Sequence, residues 1–420
     1  MSFRLNTGGL VSRAVMAIAL AGTFAAVPAE AQRTQRPKKE EAPKGPTVKL
    51  SKPVQAIAVE VQKLQQANDH QGALAKLAEA DPLPKQDDDA SVIGKLRLQS
   101  AVALQDNKMI EDVLTQLTDT GTLPQDEQIR YLGIIAGLAL QRQDYVKAAG
   151  YYDKHNALNP NDASMLVNSA ETYNRVGDRA KAIAALKNAI SIKKAAGEPV
   201  EESWYRRRVQ IAVDSKNEGE QLGAFLDWVK AFPSPTNWRD AVLLTRDNFG
   251  KIDDQTLLDF GRFQAASKSL VGERDFVEYA DTALGRGFPG EAKAAVDMGI
   301  AAKMLDPGKP LIKEIKGNAD SKAAADRASL PGLERESKGN PKLALATADA
   351  YYGYGEFAKA AELYKMAAGA SGVDVPTVNL RLGAAQAMAG DKAAAAETLK
   401  GVTGGARGAL AQYWLAFIEA

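Results

Sequence analysis

The stretch "SAETYNRVGDRAKAIAALKNAI", Ser169 to Ile190, decides how this chain reads. Almost nothing in it is reactive. Small residues stand at Ala170, Gly177, Ala182 and Ala189, with Tyr173, Val176 and Leu186 between them. Apolar residues recur with a helical period on both sides of "VGDRA". Gly177 suits the left-handed conformation that ends one helix. Asp178 suits the cap that begins the next. The stretch therefore predicts two antiparallel helices. They approach to about 8–10 Å where small side chains face each other, Ala170 from the first and Ala182 from the second. The alanines form a packing code and carry no catalytic information.

The code repeats. A shift of 34 residues towards the N-terminus places Ala136 under Ala170, Gln143–Asp144 under Gly177–Asp178, Ala148 under Ala182 and Tyr152 under Leu186. Pro160 closes that unit. Later, "ALATADAYYGYGEFAKAAELYKMAAG" presents Ala348, Tyr351, Gly355, Ala360, Tyr364 and Ala367 in the same places. "NLRLGAAQAMAGDKAAAAETLKGV" presents Gly383, Gly390–Asp391, Ala395 and Leu399. Weaker copies lie at Val54–Pro82, Ser203–Pro233 and Glu273–Leu305. A period of this size means stacked helical hairpins.

This order of small, large and aromatic residues resembles the tetratricopeptide repeat (TPR) family. The likeness is strongest over Gln128–Ala195 and Pro341–Val402. It departs from the family pattern where Leu132 and Leu166 replace an early tryptophan, and where His155 stands at a position usually small. The resemblance implies an all-α, right-handed superhelical solenoid of stacked antiparallel hairpins. It also implies an interaction scaffold whose first helices line a concave groove for a peptide or a partner's helix. Carried over repeat by repeat, the groove positions are Arg130, Gly137 and Leu140, then Asn168, Glu171 and Asn174, then Arg206, Arg207 and Gln210. Asparagine there can pair with an extended peptide backbone, and the Arg206–Arg208 run with a carboxylate.

The remaining segments set expectations about organisation. Arg4 and Arg13, the apolar run Ala14–Val27 and "AEA" at Ala29–Ala31 read as a secretory signal cleaved after Ala31. Residues 32–47 are proline-rich and charged, and read as a disordered linker. Residues 48–305 form a partly degenerate N-terminal array. Residues 306–340 do not fit the unit and read as an irregular helical insert. Residues 341–420 hold further repeats and a closing helix, "ALAQYWLAFIEA", which is either a cap or a docking helix. No later segment is long and apolar enough to span a bilayer after signal cleavage.

Composition narrows the chemistry. The chain has 53 basic and 52 acidic side chains, and loss of Arg4, Arg13 and Glu30 leaves 51 of each. That balance argues against a nucleic-acid binder. Without any cysteine there is no disulfide, thiol nucleophile, zinc–thiolate site or lipid-modified cysteine. The two histidines, His70 and His155, are far apart and read as turn and joint residues. The cluster Asp87–Asp89 lacks the spacing of a calcium loop. In "YYGYGEF", Tyr352 and Tyr354 read as exposed aromatics open to a partner. No catalytic, cofactor or metal residue is assigned.

The leading expectation is a non-enzymatic, exported, periplasmic scaffold of the bacterial cell envelope, with a protein or peptide partner and no cofactor. The alternative is a periplasmic component that binds a polysaccharide or small ligand directly during export or transport. A third reading, an enzyme with its catalytic group on 306–340, has no histidine in that segment to support it.

Overall fold

The computed structural model describes residues 49–419 apart from Pro84, Gln86 and Asp87. The signal and linker expectations lie outside the described residues, as does Asp87. Among the described residues the chain is built from twenty α-helices and no strand. They fall into two compact units dividing between Val200 and Glu201.

Unit 1 holds four hairpins. They are α1 (Lys52–Gln66) with α2 (His70–Ala78), α3 (Asp89–Ala103) with α4 (Asn107–Asp119), α5 (Gln125–Gln141) with α6 (Tyr145–Leu158), and α7 (Ala163–Arg175) with α8 (Arg179–Ala195). Each helix packs chiefly on its neighbours in sequence, the signature of a repeat stack. The turn chemistry is uniform. A left-handed residue ends the first helix, and an aspartate caps the second: Asn68–Asp69, Gln105–Asp106, Gln143–Asp144 and Gly177–Asp178. Gly177 adopts φ 85° freely, whereas Gln143 at φ 64° pays roughly 1–2 kcal/mol for the same geometry. Asp178 accepts the Lys181 N–H at 3.0 Å, satisfying a donor the helix leaves open. Asp88 and Asp89 accept the backbone N–H groups of Lys49 and Ser51, so that acidic pair anchors the approach to α1.

The small residues sit in the joints. Ala136, Ala148, Ala170, Ala182 and Ala189 are fully buried, with Tyr152 and Tyr173 packed beside them. In unit 2 Ala348, Ala360, Tyr364 and Ala395 are equally buried, and Gly355 and Gly390 have positive φ. Gly383 faces Leu399, whose Cγ would lie 2.5 Å from an added Cβ.

Unit 2 runs through α9 (Glu202–Ser215), α10 (Glu218–Ala231), α11 (Pro235–Asn248), α12 (Asp254–Ala266), α13 (Glu273–Gly285), α14 (Pro289–Ala301), α15 (Pro310–Glu336), α16 (Pro341–Gly353), α17 (Phe357–Ala368), α18 (Val375–Met388), α19 (Lys392–Lys400) and α20 (Gly405–Glu419). The segment read as an irregular insert is mostly one regular helix. α15 has 27 residues and buries a single face, Ile312, Ile315, Ala319, Ala323 and Leu330, principally against α14. It lacked the hairpin signature because no turn interrupts it.

The closing helix departs further from expectation. α20 packs on α18 and α19, and also on α10, α11 and α12 far upstream. Tyr413 donates to the Ala241 carbonyl at 3.0 Å and pairs with Thr245 at 2.7 Å. Phe263 meets the Trp414 ring edge-on at 5.3 Å, while Trp238 meets Tyr413 at 6.2 Å. α20 covers the final hairpin, as a closing helix should, and its upstream contacts leave it no free docking face. It is an interior element that brings unit 2 back on itself.

Candidate functional site

In unit 1 four of the groove positions meet on one cavity lined from α5 and α7. Arg130, Gly137 and Leu140 from α5 and Asn168 from α7 line one cavity of about 330 Å³. α6 forms its back wall through Tyr152 and His155. Ile129, Ile134 and Met165 make the sides apolar, and Asp126, Gln141 and Asp162 add polar groups. Burial pushes the Tyr152 hydroxyl up to about 12, so it stays neutral. Arg130 is exposed, with its guanidinium 5.5 Å from the Tyr131 ring centre. Asn168 is half-buried. A concave, mostly apolar cavity with a few polar groups is the usual form of a binding site.

Other groove candidates lie elsewhere. Glu171 and Asn174 are half-buried and do not line this cavity. Glu171 pairs with Arg175 one turn later at 3.0 Å. In unit 2, Arg206 and Gln210 line a different cavity of about 430 Å³ with Trp228. Arg206 stacks over the Trp228 ring at 5.5 Å, and Gln210 donates to Asp214 at 3.0 Å. Arg207 is half-buried and outside it. Arg208, third in that run, points inward and is paired with Asp227.

Unit 2 has a third cavity of about 640 Å³, bordered by Tyr279, Tyr352, Tyr354 and Phe357. Tyr352 is buried with its ring 4.6 Å from the Arg262 guanidinium. Tyr354 donates to Asp326 at 2.7 Å. The expectation of exposure is therefore corrected for Tyr352, which is packed inside, whereas Tyr354 is half-buried at the cavity edge. Helix packing and a buried arginine already occupy Tyr352.

Behind this cavity lies a charged cluster that no groove assignment included. Arg262 on α12 forks onto Glu291 on α14 at 2.8 and 2.7 Å and reaches Asp349 on α16 at 2.7 Å. Arg381 on α18 bridges Asp349 at 2.8 Å and Asp259 at 2.7 Å. Tyr364 donates to Asp349, and Tyr279 to Glu291, at 2.6 and 2.7 Å. The four ion-paired side chains around Asp349 are at most 5% exposed. Arg407 faces the remaining Asp259 oxygen at 3.4 Å. Burial pushes the Asp349 carboxyl up, but Arg381 and Arg262 outweigh it and hold it below the ordinary range. Burial opposes the charge on Arg262 too, and Glu291, with its other neighbours, carries it well above its usual value. Three guanidinium groups meet three buried carboxylates, and Arg407 also lies 3.9 Å from Asp253 and Asp374 at the edge of the cluster. Its hint in the sequence is "DFGRF", where Asp259 and Arg262 share a helix face among Leu258, Phe260 and Phe263.

Among the described residues no group of three or more His, Asp or Glu is placed to hold a metal ion. No described helix is long and apolar enough to cross a membrane.

No family model and no curated protein matches the chain. Solved structures do. A tetratricopeptide repeat protein from Parabacteroides merdae is 14% identical with a TM-score of 0.30, covering 64% of this chain and 99% of that one. The apo form of RapI is 12% identical with a TM-score of 0.28, covering 76% and 97%. The C-terminal part of a TPR repeat-containing protein from Cytophaga hutchinsonii is 10% identical with a TM-score of 0.26, covering 77% and 98%. By its own helix order, capped turns and buried alanines, the described part of this chain is an all-α array of stacked helix hairpins.

Proposed function

We propose that the chain is a non-catalytic scaffold of the bacterial cell envelope, exported to the periplasm, that holds a peptide or partner helix on the α5–α7 face of unit 1. The observation that carries this reading is the cavity of about 330 Å³ between α5 and α7. Positions chosen on two successive first helices, Arg130 and Asn168, meet on it. Export rests on the basic start, apolar run and "AEA" site of residues 1–31.

The test is crosslinking in the native envelope from a photoreactive residue at Asn168, with mass spectrometry of what is captured. A reproducible protein partner, lost on Arg130→Ala with the helical content intact, supports the scaffold. Only a co-purifying glycan or small molecule sinks it. The larger aromatic-edged cavity of unit 2 favours that second reading, direct binding of a soluble ligand.

A further inference from the structure

His155 is 2% exposed, yet it lines the unit 1 cavity. An imidazole has two nitrogens with distinct roles, and the surrounding hydrogen bonds decide which carries the proton. Ser169 Oγ donates to the Leu166 carbonyl at 2.9 Å, so its lone pairs remain to accept. It accepts from Asn156 Nδ2 at 3.2 Å. That fixes the amide, leaving Asn156 Oδ1 as an acceptor beside His155 Nδ1 at 3.2 Å. Nδ1 then carries an N–H, and in the uncharged form of the ring Nε2 presents a bare lone pair. Nε2 has no protein partner among the described residues, and it sits 3.8 Å from where a Cβ on Gly133 would be. Gly133 brings no side chain of its own to the ring, and the Met165 methyl lies 3.1 Å from that same point.

Resting on the scaffold reading, we propose that this pocket takes a tyrosine side chain from the partner peptide, its phenol O–H donating to His155 Nε2. The walls select an aromatic body, since Ile134, Leu140 and Met165 are apolar. The space equals that of about ten waters, enough for one ring. The floor selects a donor at the tip of that ring. Phenylalanine would bury the acceptor unpaired. A carboxylate would face a lone pair. Serine and threonine reach too short a distance to fill the walls, and the tryptophan N–H lies on the ring's flank.

The chain's only two histidines make the test direct. Two-bond proton–nitrogen correlation spectra of the imidazoles, in alkaline buffer where imidazole is neutral, should show His155 in the Nδ1–H form. p-Cresol, the tyrosine side-chain analogue, should shift His155 Nε2 and leave His70 unmoved. Toluene, the same shape without the donor, should bind about tenfold more weakly, the usual penalty of one lost buried hydrogen bond. Gly133→Ala should abolish the p-cresol shift with the fold retained. An added Cβ there meets the mobile Met165 tip at 3.1 Å and the imidazole at 3.5 Å. An Nε2–H tautomer, equal binding of the two probes, or a shift surviving Gly133→Ala overturns the assignment. A crosslinked partner that persists in Gly133→Ala overturns it too while leaving the scaffold standing. A p-cresol response with no protein partner in the envelope removes the scaffold and leaves the pocket.

Discussion

Unit 1 and unit 2 are built from the same hairpin, yet the buried groups behind their two cavities are satisfied differently. In unit 1 each hairpin leans chiefly on the next, and the buried imidazole of His155 keeps one nitrogen turned to a cavity. In unit 2 the chain returns through α20, and Arg262 and Arg381 direct hydrogen bonds to Glu291, Asp349 and Asp259, whose second oxygen has only the Arg407 ion pair. A buried charge whose partners are all internal serves architecture. A buried acceptor turned to a cavity is, in our proposal, where a partner's donor binds.

The comparison can be tested by breaking each side of it, starting where the loss is greatest. Arg262→Met should strip buried Glu291 of its cation, leave Asp349 with Arg381 alone, and destabilise unit 2 by about 3–5 kcal/mol. Urea unfolding followed by unit 2 tryptophan fluorescence would report it. That cost measures stranded partners; replacing the whole cluster by apolar residues should cost far less. Acid acts on the same network. The folded Asp349 lies below its unfolded value, so its contribution is complete above the unfolded pKa of about 3.9. It declines as pH falls below that and is lost through the folded value. Unfolding midpoints measured downward from pH 6 should therefore steepen below about pH 4, and Asp349→Asn should remove that component.

Overpacking comes next. Gly353→Ala would bring a Cβ to 3.0 Å from the Glu291 backbone nitrogen, which cannot move aside. Ala182→Leu would do the same in a unit 1 joint. Each should cost roughly 1–3 kcal/mol in thermal or urea unfolding. Equal costs would show that the alanine code is equally strict in both units.

Removing the α8 cap with Asp178→Ala should cost about 1 kcal/mol, visible as faster amide exchange in the first turn of α8. Gly133→Ala should change stability least, within about 1 kcal/mol, because alanine's better helix propensity offsets the 3.1 Å approach to Met165. A large loss there would mean the glycine serves packing, and the contrast drawn between the units would weaken.

The hairpins were legible because alanine and glycine recur at positions that only close helix contact explains. Gln143–Asp144 was read as a turn by analogy with Gly177–Asp178, and it is one. The closure of unit 2 was not legible. Asp259 and Arg381 are 122 residues apart, and a charged residue on a helix reads as solvated unless its partner is in view. Tyr352 misled for the same reason, since the arginine against its ring comes from a distant helix. His155 was visible as a departure from the repeat. Its meaning depended on Asn156 and Ser169 fixing a proton, which spacing does not reveal.

The return of α20 also imposes an order of events. Tyr413 completes a contact with Ala241, 172 residues earlier in the chain. During synthesis, unit 1 can assemble hairpin by hairpin as it emerges, from contacts local in sequence. Unit 2 must hold Trp238 and Phe263 without their final aromatic neighbours until residues 405–419 have been made. Its completion is a late, all-at-once step, and for that interval the aromatic face reserved for α20 is the part of the molecule most exposed to unwanted association.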